Sequence, residues 1–142
     1  MENKKRVLIP CTGNSARSQM AEGLLRELGK GKFEVESAGV APSSVRPEAV
    51  EAIGEIGIDI SSHRSKSVDE FVGQQFDYII TVCDNAKETC PVFPGQATRI
   101  HQSFEDPPPE TTNDYESRLK IFRRVRDEIS EWLKKFADSL RA

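Results

Sequence analysis

Apolar and polar positions change period several times along the chain, and each change marks an element. Val7, Leu8 and Ile9 form a continuous apolar run within residues 6 to 10, which predicts a short buried strand. Met20, Ala21, Leu24, Leu25 and Leu28 then recur at three- and four-residue spacing. That is a helix with one apolar face, ended by Gly29 and Gly31. Residues 33 to 37 alternate and predict a second strand. Pro47 opens a second helix carrying Ala49, Val50, Ile53 and Ile56 inward, with Gly57 as its stop and Ile58 and Ile60 in a short extended piece. Ser67-Val68-Asp69-Glu70 has the capping-box pattern, in which Ser67 accepts from the N–H near Glu70 and Glu70 reaches back. Tyr78 to Val82 is the strongest strand, nearly all β-branched or aromatic, and residues 97 to 101 supply a fourth. After Pro107-Pro108-Pro109 a long helix runs from about Asn113 to Leu140. Its apolar stripe is Leu119, Phe122, Val125, Ile129, Trp132 or Leu133, Phe136 and Leu140. Its opposite face, with Arg118, Arg123, Arg124 and Lys134, reads as solvated.

Strands alternate with helices throughout. The expected fold is therefore α/β, three layers with a central four-stranded parallel sheet and helices on both faces. The 142 residues make a single catalytic domain, 1–142, large enough to need no disulfide or metal. Function in such a sheet belongs at the carboxyl ends of the strands, where Cys11, Cys83 and His101 all fall.

Composition narrows the function. Twenty Lys plus Arg against twenty-three Asp plus Glu give a net charge of −3, which argues against nucleic acid as a partner but leaves room for a small anion. No apolar run is long enough for a membrane span, and the apolar run after the basic start is too short for a signal peptide. A cytoplasmic protein is expected. Its three cysteines, Cys11, Cys83 and Cys90, then suit catalysis or redox chemistry better than a disulfide framework. With two histidines, neither at zinc-like spacing, a zinc site is disfavoured. His63 and His101 read as structural.

The first loop carries the chemistry. Cys11 follows the first strand directly, and the loop ends at Arg17, where the first helix begins. The backbone N–H groups of Thr12, Gly13, Asn14, Ser15, Ala16, Arg17 and Ser18 can converge on a tetrahedral oxyanion, aided by the positive end of the helix. Gly13 lets the chain turn tightly and approach the anion, and the Arg17 fork can clamp two oxygens. The same field favours the thiolate of Cys11. Ser18 is positioned to donate to that sulfur, and Asn14 to bond the loop backbone. Cys83 and Cys90 flank a polar segment followed by Pro91, the kind of chain that can move as a thiol relay requires.

Cys11-Thr12-Gly13-Asn14-Ser15-Ala16-Arg17-Ser18 resembles the signature loop of the low-molecular-weight protein tyrosine phosphatase fold. Gln19-Met20-Ala21-Glu22-Gly23, Ser37-Ala38-Gly39, Asp59-Ile60-Ser61 with His63, Phe104-Glu105-Asp106-Pro107, and Phe122 through Ile129 are closer still to thioredoxin-coupled arsenate reductases. The resemblance covers essentially the whole chain. It implies reduction of arsenate to arsenite, with phosphate or sulfate as competing anions. Cys11 would be the nucleophile and Asp106 the general acid, with Glu105 as fallback. Cys83 would attack the Cys11 sulfur, and Cys90 would then attack Cys83. The Cys83–Cys90 disulfide would be reduced by thioredoxin, with no tightly bound cofactor.

Several positions depart from that family. Ala16 stands where many members have a further cysteine, which is not a step of the relay. Asn14, Glu22 and Ser37 match three of the ligands of potassium-binding members, but Lys66 takes the place of the fourth, an aspartate, which leaves two alternatives: potassium binds, or the Lys66 ammonium takes the ion's place. Pro108 occupies the place of a tyrosine that packs against aryl substrates in the phosphatase branch. The alternatives are a low-molecular-weight protein tyrosine phosphatase, against which Cys83 and Cys90 argue, and an anion-sensing binding module, which would need no nucleophile, acid or further thiols.

Overall fold

The computed structural model describes residues 4–82, 96–111 and 114–140. Four strands, β1 (Lys5–Cys11), β2 (Phe33–Gly39), β3 (Tyr78–Thr81) and β4 (Thr98–His101), form one parallel sheet in the order β2-β1-β3-β4. Among the described residues three α-helices accompany them: α1 (Arg17–Leu28), α2 (Pro47–Gly54) and α3 (Tyr115–Ser139).

Val7, Ile9, Ile80 and Val82 alternate with Leu8 and Ile79, so the two sets point to opposite faces of the sheet. The first set shares one core with Met20 and Leu24 of α1, Ala49 and Ile53 of α2, and Leu119, Phe122, Val125, Ile129 and Leu133 of α3. Among the described residues the second face has a thinner cover. Leu8 and Ile79 pack with Phe71, the last residue of a 3-10 turn at Val68–Phe71, and with Phe76 beyond it.

Three elements differ from the sequence reading. α2 stops at Gly54, capped at Glu55, so Ile56 lies beyond it and is 46% exposed. Ile58 and Ile60 join no strand, although Ile60 is buried beneath α1. The capping box is altered at one end, because Ser67 accepts from the Asp69 N–H rather than that of Glu70, while the Glu70 carboxylate bonds the Ser67 backbone and is also forked by Arg64, at 2.7 and 3.0 Å. The charged face of α3 is also not simply solvated. Arg118 bonds the buried Glu48, Arg123 forks onto Glu55, and Arg124 reaches Glu105.

Candidate active site

β1 connects to β2 on one side, whereas β3 and β4 lie on its other side. That reversal opens a crevice beyond the carboxyl ends of β1 and β3, the usual ligand position in an open α/β sheet. Cys11, the last residue of β1, stands at this point as a buried free thiol paired in register with Gly39.

The segment after β2 runs alongside the loop that follows Cys11. Val40, Ala41, Ser43 and Arg46 donate their N–H groups to the carbonyls of Cys11, Thr12, Gly13 and Ser15, at 2.9 to 3.1 Å. The remaining carbonyl, that of Asn14, accepts from the Ser65 hydroxyl at 2.6 Å and from Gln19. A trans peptide points its N–H away from its C=O. Five carbonyls engaged on the outer side therefore turn the N–H groups of Thr12 to Ala16 the opposite way. α1 begins behind them at Ala16 with no side-chain cap and no acidic residue in its first turn. Its first orphan N–H groups and dipole remain available to an anion.

Asn14 is the residue that bends this loop. Its φ is +51°, whereas that of Gly13 is not positive, so the left-handed step falls one residue later than the glycine suggests. The Asn14 amide donates to the hydroxyls of Ser18 and Ser37, both at 2.9 Å. Its oxygen accepts from Gln19 and from the Lys66 N–H, also at 2.9 Å. These partners are side chains and a distant backbone, not the loop backbone expected from sequence. Ser18, by accepting from Asn14, keeps its own proton to donate.

Arg17 is 4% exposed. Its Nη1 donates to the Phe104 carbonyl and its Nη2 pairs with Asp106 Oδ1, each at 3.2 Å. The guanidinium thus joins the Cys11 loop to the loop that follows β4. Phe104 is itself anchored edge-on against Trp132. Glu105 points elsewhere, its carboxylate 2.6 Å from Arg124 of α3. Of the two neighbouring carboxylates, Asp106 is the one at the buried arginine. His101 ties the ends of β3 and β4 to this loop through Thr81 at 2.6 Å and Ser103 at 3.1 Å. Cys83 and Cys90 lie outside the described residues.

Behind the Cys11 loop is a buried polar cluster. Glu22, 1% exposed, accepts from the N–H and hydroxyl of Ser37 at 2.8 and 2.6 Å. Lys66 Nζ stands 3.3 Å from Glu22 and 2.8 Å from Glu36. Burial holds the His63 imidazole below its ordinary value despite the nearby Glu22. The ring meets the Gln19 side-chain amide oxygen at 3.1 Å through Nδ1. This set does not fit a bound potassium ion. Asn14 turns amide hydrogens, not oxygen, toward Ser37, and the Lys66 ammonium already supplies the positive charge beside Glu22.

Gln19, Gly39 and Ser65 complete the site without having been singled out as its members from sequence. A signal existed for Gln19, a polar side chain fully buried on a helix whose neighbours Met20 and Ala21 face the core.

The model of the low molecular weight phosphotyrosine protein phosphatase family matches residues 6–142. The chain is 43% identical to an arsenate reductase of Halalkalibacterium halodurans over 137 residues, 96% of this chain and 98% of that one. A solved arsenate reductase in its phosphate-binding state superposes with a TM-score of 0.77 at 32% identity, covering 96% of this chain and 98% of the other. A low molecular weight protein tyrosine phosphatase from T. tengcongensis superposes at 0.75 with 29% identity, covering 96% and 100%.

Proposed function

The chain belongs to the low molecular weight phosphotyrosine protein phosphatase family, and from that premise we propose that it reduces arsenate to arsenite. What carries the reading is likeness along nearly its whole length to an arsenate reductase, in a chain that keeps two further cysteines, Cys83 and Cys90, after β3. The anion loop alone suits phosphate and arsenate equally, since the two have the same shape and charge.

The arsenate oxygens accept from the inward N–H groups of residues 12 to 18 and from Arg17. The Cys11 thiolate attacks arsenic, and Asp106 gives its proton to the departing oxygen, which leaves as water. Arg17 holds Asp106 beside the anion. Cys83 then attacks the Cys11 sulfur. The sulfur–arsenic bond breaks, its electron pair stays on arsenic, and arsenite leaves with arsenic in its lower oxidation state. Cys90 attacks Cys83, which frees Cys11 and leaves a Cys83–Cys90 disulfide. An external dithiol, thioredoxin in this reading, reopens the bridge by exchange in the cytoplasm. Lys66 serves as the built-in cation behind the loop. A rate or melting temperature that rises on replacing sodium by potassium would remove that role.

The test of the reaction is a coupled assay with thioredoxin, thioredoxin reductase and NADPH. Arsenate should drive NADPH oxidation with one arsenite formed per NADPH. If arsenate drives no oxidation while aryl phosphate is hydrolysed at an ordinary enzymatic rate, the protein is a phosphatase.

A further inference from the structure

The loop that carries Asp106 has a difficulty built into its sequence. Pro107, Pro108 and Pro109 have no backbone N–H, so across this stretch the main chain offers carbonyls only. Such a run is held by hydrogen bonds only where a donor comes to it from elsewhere. Arg46 brings one, its Nη2 donating to the Pro108 carbonyl at 3.0 Å. The backbone N–H of the same residue donates to Ser15, in the Cys11 loop, at 2.9 Å.

We propose that Arg46 is a positioning residue that fixes the spacing between the nucleophile Cys11 and the acid Asp106, one of its bonds holding each loop. The inference rests on the reading of Cys11 and Asp106 as the reacting pair.

Everything around Arg46 makes it rigid. Its backbone precedes Pro47, which confines it to the extended region it adopts, at φ −68° and ψ 133°. The side chain is 13% exposed and its guanidinium lies over the Phe122 ring, 5.1 Å from the centroid. Nη2 also bonds the buried Glu48 at 2.8 Å, and Arg118 of α3 holds the same carboxylate oxygen at 2.7 Å. Burial works against the Glu48 charge, but the bonds from Arg118 and Arg46 outweigh it and hold the carboxyl below its ordinary value. The guanidinium is thus fixed from α2, α3 and the core while it touches the acid loop. Arg17 makes the second link between the two loops, through Phe104 and Asp106. Two fixed links define a spacing where one would leave a hinge.

The test is a double-mutant cycle between Arg46→Met and Asp106→Asn. It follows the single-turnover step in which reduced enzyme consumes arsenate, and in parallel the hydrolysis of phenyl phosphate, whose leaving oxygen needs the same proton. Arg46→Met should slow the step roughly 10- to 100-fold, the scale of a small misplacement of a reacting group. In the Asp106→Asn background it should cost no further factor, because the acid it positions is gone. Alkylation of Cys11 by iodoacetamide, which needs no acid, should keep its wild-type rate. If Arg46→Met does not fold because Glu48 keeps only Arg118 as its partner, Arg46→Met with Glu48→Gln removes that charge and enters the same cycle. An equal loss in both backgrounds, a parallel slowing of alkylation, or no loss at all overturns the proposal. Wild-type enzyme inert to arsenate but active on phenyl phosphate overturns the arsenate reading alone. Inertness to both overturns the two together.

Discussion

Gly39 stands so close to Thr12 that a Cβ on it would lie 2.6 Å from the Thr12 carbonyl oxygen, and 3.1 Å from the Asn14 nitrogen. Backbone cannot yield as the end of a flexible side chain can. Gly39→Ala should therefore push the anion loop out of shape. Gly13→Ala is the contrast, since its Cβ would meet only the hydroxyls of Ser15 and Ser43 at 3.5 and 3.6 Å. Overpacking of this kind costs about 1–3 kcal/mol. Gly39→Ala should lose that much stability in urea, and phosphate should no longer slow alkylation of Cys11. Gly13→Ala should keep the wild-type stability. A Gly39→Ala protein whose Cys11 is still protected by phosphate would show that the loop tolerates the shift.

Asn14 combines a left-handed backbone with a buried amide that makes four hydrogen bonds. Replacement by alanine keeps the strained φ, worth roughly 1–2 kcal/mol, and strands the partners on Ser37, Gln19 and Lys66. Asn14→Ala should destabilise the protein by about 2–4 kcal/mol. Asn14→Gly relieves the φ but not the lost bonds, so it should cost less. Urea denaturation of both variants separates the two effects, and equal costs would mean that the backbone carries no strain.

How far sequence reaches can be seen in the same residues. Cys11 through Arg17 are adjacent in the chain, so a loop, its nucleophile and its arginine are legible together. Strand and helix cores follow from local period and are legible for the same reason. Ser65 reaches the Asn14 carbonyl from 51 residues away, and Arg46 reaches Pro108 from 62. No local pattern registers such meetings. Ile56 continues the apolar period of α2, but the helix ends before it. Glu70 fits a capping box and bonds the Ser67 backbone, but no local pattern shows that Arg64 also forks onto it. Periodicity shows which side of α3 faces the core. It is silent on what Arg118, Arg123 and Arg124 meet on the other side.

Glu105 and Asp106 are neighbours with different surroundings, and the difference predicts different variants. Glu105 is paired with Arg124, whereas Asp106 contacts the buried Arg17. Asp106→Asn keeps the shape and removes the transferable proton. It should slow single-turnover consumption of arsenate roughly 10²- to 10⁴-fold, the usual worth of general acid–base catalysis. Glu105→Gln breaks an exposed pair worth at most about 1 kcal/mol and should leave the rate within a few-fold of wild type. Rapid-quench measurement of arsenate on the reduced enzyme distinguishes them. The reverse order of losses would transfer the acid to Glu105.

Neither the anion loop nor Asp106 can supply electrons. Arsenate takes up two electrons in becoming arsenite, and phosphate ester hydrolysis takes up none. A protein with the Cys11 loop alone can therefore be a phosphatase, but a reductase needs thiols that end as a disulfide. Cys83 follows β3, whose carboxyl end borders the Cys11 crevice, and Cys90 follows in the same segment. Reduced enzyme mixed with one equivalent of arsenate and no added thiol should yield one arsenite and one Cys83–Cys90 bridge together, read by mass mapping. Cys90→Ser should stall with Cys11 joined to Cys83, since the second exchange has lost its thiolate. Cys83→Ser should release almost no arsenite, because nothing attacks the Cys11 sulfur to drive electrons onto arsenic. Thioredoxin should reopen the native bridge and restore a further turnover. Arsenite released at full rate by Cys83→Ser would mean that another thiol delivers the electrons, and the relay would have to be abandoned even if the reaction itself stood.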